Sequence, residues 1–157
     1  MKAALAGQIH AMKEFFDRST KVLTEADSGY SPQPGMFTVA ATVAHVAQTV
    51  EWFMEGAFSE SGFSMDFEKM DGEVRQVTSL TEARAWLDKA CAAALKTTDE
   101  HAEGDWLARL PDGPIMAGQP RMAIFGAITD HSAHHRGALT VYTRLLGRVP
   151  PMPYMDM

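Results

Sequence analysis

Four stretches of helical periodicity, separated by turn-forming residues, constrain this chain more than any other feature. Apolar residues recur at steps of three, four or seven over about 2–26, 38–58, 79–98 and 120–146. Prolines and glycines cluster between these stretches, where they prevent a helix from continuing. No stretch alternates with period two, and Ile115-Met116 is the one place where a short strand could lie. The pattern predicts an all-α protein, a four-helix bundle with long connections.

Local signals mark the ends of these helices. Thr38 suits the N-cap of the second helix. Ser79 and Glu82 have the spacing of a capping box at the start of the third. Pro120 suits the first turn of the fourth, and Gly147 with the prolines after it predicts its end.

The two long connections carry less information. Residues 62–78 mix apolar and charged residues and predict a crossover with at most a short helical turn. Residues 99–119 are interpreted mostly as loop, held to the core by three apolar side chains, Trp106, Leu107 and Leu110. Both connections are long enough to join helices that are not immediate neighbours.

Size and charge exclude several classes of protein. The length of 157 residues fits one domain spanning 1–157. The net charge is −6, from 14 basic and 20 acidic side chains without a basic cluster, so we expect neither a nucleic-acid nor a membrane partner. No signal peptide or 18-residue apolar run is apparent, which predicts a cytoplasmic protein. The single cysteine, Cys91, lies in Ala-rich sequence and is interpreted as a small buried residue rather than a nucleophile.

Three of the six histidines fall within the fourth helix, in the segment Asp130-His131-Ser132-Ala133-His134-His135. At 100° per residue, His131 and His135 lie one turn apart in the apolar stripe, and His134 lies at its edge. Two imidazoles at this spacing can reach one ion, and burying them without polar partners would be costly. The pair therefore predicts a metal site, and surface histidines in a bundle without metal are the alternative.

A third ligand should come from another helix. His45, midway along the second helix among small alanines, is the preferred candidate, and His10 in the first helix is the weaker one. No Glu-x-x-His motif occurs, which argues against a carboxylate-rich di-iron bundle. Three imidazoles with open positions favour zinc, nickel or another late first-row ion.

These residues together resemble the DinB-like superfamily of metal-dependent proteins. The similarity covers nearly the whole chain, and its most specific element is His-x-x-x-His-Arg-Gly, here His131 to Gly137. The resemblance implies an up-down-down-up four-helix bundle, a homodimer, and one zinc or nickel ion on His45, His131 and His135. It further implies thiol-dependent transferase or isomerase activity, with a low-molecular-weight thiol and a small electrophile as partners. Many relatives carry Gln after Arg-Gly, where this chain has Ala138.

Five further residues are candidates for the pocket or for contacts behind the ligands. Asp130 could orient a ligand imidazole, His134 could act as a base, and Arg136 could hold a substrate carboxylate. Trp52 and Tyr142 share helix faces with the ligands and could form the walls of the pocket. For each of the five, ordinary packing or a solvated charge is the competing interpretation. A metal-dependent hydrolase and a non-catalytic metal-binding or ligand-binding stress protein are the alternatives to the thiol transferase.

Overall fold

A computed structural model describes residues 1–155 as six α-helices and two short 3₁₀ turns, Glu25–Asp27 and Arg121–Ala123. The helices are α1 (Lys2–Thr20), α2 (Val39–Phe58), α3 (Phe67–Arg75), α4 (Leu80–Glu100), α5 (Glu103–Leu107) and α6 (Ile124–Leu145). The all-α prediction is confirmed. No strand forms at Ile115-Met116, where Met116 has a φ of 48°, outside the extended region. The extended pairing within residues 1–155 is one isolated bridge between Arg109 and Pro120.

The four long helices form the bundle. Helix α2 packs against α4 and α6, and α1 packs against the same two helices from the other side. The order around the bundle is therefore α1, α4, α2, α6, so α1 and α2 are diagonal although consecutive. Residues 21–38 join α1 to α2 across this diagonal, and residues 101–123, which include the connection predicted at 99–119, join α4 to α6 across the other. Both are longer than the tight turns that join adjacent helices. Small residues on α2, such as Ala44 and Ala47, are fully buried and let α4 and α6 approach closely.

The cap signals of α2 and α4 place the starts of these two helices correctly, whereas α6 begins at Ile124, after a 3₁₀ turn that follows Pro120. The Thr38 side chain accepts the Ala41 backbone N–H at 3.1 Å, which fixes the first turn of α2. Ser79 accepts the Glu82 N–H at 3.2 Å at the start of α4. Helix α1 ends at Thr20, earlier than the periodicity predicts, because a 3₁₀ turn capped through Asp27 replaces its last part.

Both connections contain helical structure that the sequence indicated only weakly. Helix α3 lies in the segment 62–78, and α5 lies in the segment expected to be loop. Trp106 and Leu110 are buried as predicted, with the Trp106 ring 5.2 Å from that of Phe125. The prediction for Leu107 was wrong: it is 60% exposed, because the residue after Trp106 on a helix faces about 100° away.

The backbone of α2 and the Phe63 ring approach each other closely at Gly56, where a Cβ would lie 2.2 Å from the ring. Cys91 is buried as expected, and burial raises the pKa of its thiol to about 12, which leaves it protonated and unreactive. None of the helices in residues 1–155 combines the length and apolarity needed to cross a membrane.

Candidate metal centre

Helices α2 and α6 bring three histidines together at their contact. His45 projects from α2, and His131 and His135 project from successive turns of α6. The Nε2 atom of His131 lies 3.2 Å from Nε2 of His45 and 3.2 Å from Nε2 of His135. One nitrogen from each ring lies within 4.8 Å of the other two. The three lone pairs can thus converge on one point, which is the geometry that a shared ion requires.

The spacing of these nitrogens fits a metal better than it fits hydrogen bonds. Zn–N bonds of about 2.0–2.1 Å in tetrahedral geometry place ligand nitrogens roughly 3.3–3.4 Å apart. An Nε2 atom has either one hydrogen or one lone pair, so His131 can form a good hydrogen bond with only one of its two neighbours. A divalent ion accepts all three lone pairs at once. The residues present therefore fit one divalent ion, and their assignment as its ligands stays a prediction.

The electrostatics of the cluster keep the imidazoles neutral and available as ligands. Burial, together with the neighbouring His45, lowers the pKa of His131 to about 4. Burial, then His131 and His45, lowers the pKa of His135 to about 3. Burial also lowers the pKa of His45, against an opposing effect of the Asp71 carboxylate. A proton consequently competes poorly with a cation for these nitrogens at neutral pH.

Packing, rather than hydrogen bonding, orients the rings. The ring of His45 lies 5.2 Å from that of Phe37, whose backbone carbonyl accepts the Tyr142 hydroxyl at 3.1 Å. The Phe37 ring also contacts Arg75, whose guanidinium lies 4.5 Å from the ring centre. Nδ1 of His131 is buried and has no hydrogen-bond partner among residues 1–155. No protein group of residues 1–155 therefore serves as the acceptor that often lies behind a metal-binding histidine.

A cleft of about 540 Å³ adjoins the cluster and gives it access to small molecules. His45 and His131 line it, together with residues from α2, α3, α6 and the segment before α2. The other lining residues are Phe37, Gln48, Thr49, Trp52, Phe53, Phe67, Met70, Asp71, Ala127 and Asp130. Its size lies within the range of small-molecule sites, and half of its twelve lining side chains are apolar.

The structure brings some of the predicted pocket residues to this cleft and places others elsewhere. Trp52 and Asp130 line the cleft. Tyr142 is buried and does not line the cleft, but its hydroxyl donates to the backbone carbonyl of Phe37, whose ring packs on His45. His134 is exposed and touches only the edge of the His135 ring.

Arg136 lies in a different groove, beside the C-terminal segment. Its guanidinium lies 5.9 Å from the Phe15 ring centre and 5.8 Å from that of Tyr154. Neither its contacts nor its position connects it with the cleft. The hypothesis that Arg136 holds a substrate carboxylate at the metal has no support from this placement.

Sequence reasoning missed the wall that α3 contributes. Phe67, Met70 and Asp71 come from the segment that had no clear pattern, so no sequence signal indicated them. Thr49 could have been found, because it follows His45 by four residues and precedes Trp52 by three on the same face of α2.

Comparisons with known proteins agree with the fold. The model of the DinB family matches residues 10–157. No curated protein matches the chain. Among solved structures, a similar one is described as "YfiT from Bacillus subtilis is a probable metal-dependent hydrolase with an unusual four-helix bundle topology". The match has a TM-score of 0.71 at 14% identity and covers 94% of this chain and 88% of that one. At this identity the likeness shows a shared fold.

Proposed function

The chain belongs to the DinB family, and from that premise we propose that it is a metal-dependent hydrolase of small, mainly apolar substrates. The convergence of three neutral imidazoles at the end of an accessible cleft is the observation that carries this proposal. When bound, a divalent ion on neutral ligands keeps its full charge, polarises a substrate carbonyl and lowers the pKa of water. The description of YfiT as a probable hydrolase supports the same class.

The residues of the chain supply binding and exclusion of bulk water rather than a nucleophile. His45 and His131 line the cleft, and His135 completes the group of three nitrogens without lining it. Trp52 and Phe67 provide apolar walls against which a substrate can be held. Cys91 is buried with a raised pKa, which disfavours it as the attacking group, so the proposal takes water from outside the chain as the nucleophile.

A thiol-dependent transferase is the second candidate. It shares the use of an external nucleophile with the hydrolase, and the burial of Cys91 argues against a thiol of the chain in that role. In this alternative an external thiol, rather than water, attacks a small electrophile. The identity of the ion, zinc or nickel, and assembly as a homodimer belong to the same set of proposals.

Elemental analysis of protein produced without a histidine tag tests the metal site first. We expect about one divalent ion per chain, lost in His131→Ala and retained in His10→Ala, whose exposed imidazole is the matched control. Absence of metal from protein incubated with zinc and nickel, or its retention in the His131 variant, would refute the site.

Turnover tests the reaction. Metal-loaded protein should hydrolyse members of a panel of small aryl esters and amides, and His131→Ala should not. Repeating the panel with added low-molecular-weight thiols and alkyl or aryl electrophiles separates the two candidates. Turnover that requires the thiol assigns a transferase and overturns the hydrolase.

A further inference from the structure

The hydroxyl of Thr49 sets this residue apart from the other buried threonines of residues 1–155. Thr20, Thr42, Thr98 and Thr143 each donate to the carbonyl four residues earlier, at 2.7–2.9 Å. Thr49 is only 6% exposed and lies within a helix like the others, yet it makes no hydrogen bond to any residue that the structure describes. It lines the cleft, and its hydroxyl is therefore available to a molecule bound there.

The Thr49 hydroxyl is not one of the fully enclosed polar atoms of residues 1–155 that lack a partner. It is therefore open to the cleft, where a bound molecule can take the place of solvent as its hydrogen-bond partner. Thr49 lies one helical turn beyond His45, about 6 Å along the axis of α2 at 1.5 Å per residue. Both side chains line the same cleft. A molecule held with its reacting group near His45 would extend past the Thr49 hydroxyl.

The charges lining the cleft are acidic. Asp71 is already paired, since its carboxylate accepts the Arg75 Nε–H at 2.6 Å. Asp130 lines the cleft, is exposed, and makes neither an ion pair nor a hydrogen bond with another residue of the described part of the chain. No lysine or arginine is among the residues lining the cleft within 1–155. Arg75 is the cation beside the cleft, and Asp71 already binds its guanidinium. A ligand with a carboxylate away from the metal would therefore meet the Asp130 carboxylate without a free cation among the lining residues of 1–155 to offset it.

The remaining walls are aromatic and aliphatic. Trp52 and Phe67 line the cleft with ring centres 6.1 Å apart. The Trp52 indole N–H donates to the Ser64 carbonyl at 2.8 Å, so it is not available to a ligand. Phe67 is 50% exposed, so its ring offers apolar surface that a bound molecule can cover.

We propose that the cleft selects substrates with an apolar or aromatic body and an uncharged or cationic polar group, contacted by Thr49 and Asp130. This inference rests on the proposed function in that it names the substrate class of the same site. The recognition itself depends on the walls and the two polar contacts rather than on the ion. The cleft therefore disfavours substrates that carry a carboxylate away from the metal.

Three probes with the same phenylalkyl body and different head groups test the selectivity. These are 4-phenylbutylamine, 4-phenylbutanol and 5-phenylpentanoate, which all carry four methylenes between the ring and the head group. They are titrated calorimetrically into the full chain with a chelator present, so that a carboxylate cannot bind an ion. We expect the amine and the alcohol to bind, and the carboxylate to bind at least 10-fold more weakly. Equal binding of the carboxylate, or no binding of any probe at millimolar concentration, would overturn the proposal.

Variants of nearly equal shape test the two polar contacts. Thr49→Val should weaken 4-phenylbutanol about 3- to 10-fold, the worth of one hydrogen bond, without lowering stability, because no bond within the protein is lost. Thr98→Val is the matched control: it loses the bond to the Ala94 carbonyl, so it should be less stable yet bind the probes unchanged. Asp130→Asn should weaken the amine and leave the alcohol unchanged.

The outcomes separate this inference from the proposed function. Selective probe binding in a protein that holds no metal supports the inference and refutes the metal-dependent reaction. Metal binding and turnover without charge discrimination refute the inference alone. Unchanged affinity for 4-phenylbutanol in Thr49→Val would remove Thr49 from the ligand contacts and overturn the proposal in that form.

Discussion

Acidification should destabilise the metal-free protein through the histidine cluster. The folded state lowers the pKa of His131 to about 4 and that of His135 to about 3, from an ordinary value of 6.5. Above pH 6.5 both imidazoles are neutral in the folded and unfolded chains, and the full stability is present. Between pH 6.5 and about 4 the unfolded chain binds protons that the folded chain does not, so the free energy of unfolding falls as the pH falls.

The size of this loss follows from the two shifts. Each imidazole costs about 1.4 kcal/mol per pH unit in this window, so two imidazoles cost up to about 4 kcal/mol between pH 6.5 and 5. Both rings are only partly buried, and solvent screening reduces the expected loss to about 2 kcal/mol. Asp27 does not contribute much at pH 5, because its pKa is lowered by Arg148 from an already acidic value.

Urea unfolding with a chelator, at pH 7.5 and at pH 5, measures the effect. The wild-type protein should lose about 2 kcal/mol, while the double variant His131→Gln/His135→Gln, which cannot titrate at these positions, should lose much less. His10→Gln removes an exposed imidazole and should retain the wild-type pH dependence. If the wild-type protein and the double variant lose the same stability, the cluster is not what resists protonation and the reasoning fails.

Three further substitutions and one chemical treatment test the fold. Gly56→Ala should lower the free energy of unfolding by about 1–3 kcal/mol, because the new Cβ would lie 2.2 Å from the Phe63 ring. Gly7→Ala has open space around the new Cβ and should stabilise α1 by up to about 1 kcal/mol. Thermal unfolding of the two variants compares these effects. Thr38→Ala should cost about 1 kcal/mol in chemical denaturation, because α2 loses its N-cap bond. Iodoacetamide should leave Cys91 unmodified in the native protein and label it only in denaturant, and mass spectrometry showing rapid native labelling would contradict its burial and raised pKa.

The helical period could identify most of the fold and part of the site. It placed α2, α4 and α6 because their apolar residues and caps are local signals that do not depend on the rest of the chain. It also placed His131 and His135 on one inward face, since positions four residues apart always share a face of a helix. The boundaries of α1 and the orientation of Leu107 could not be predicted, because local hydrogen bonding and packing of the connections decided them.

The sequence by itself determined an all-α chain and the inward-facing pair of histidines, because both follow from short-range periodicity. Only the tertiary structure decided that His45 meets this pair, since the order of helices around the bundle depends on which faces bury each other. It also decided that residues of α3 line the cleft and that Thr49 presents a hydroxyl there without a hydrogen bond to any residue of 1–155. These features join residues far apart in the chain, and the physical reason is that long-range packing, rather than local propensity, selects such contacts.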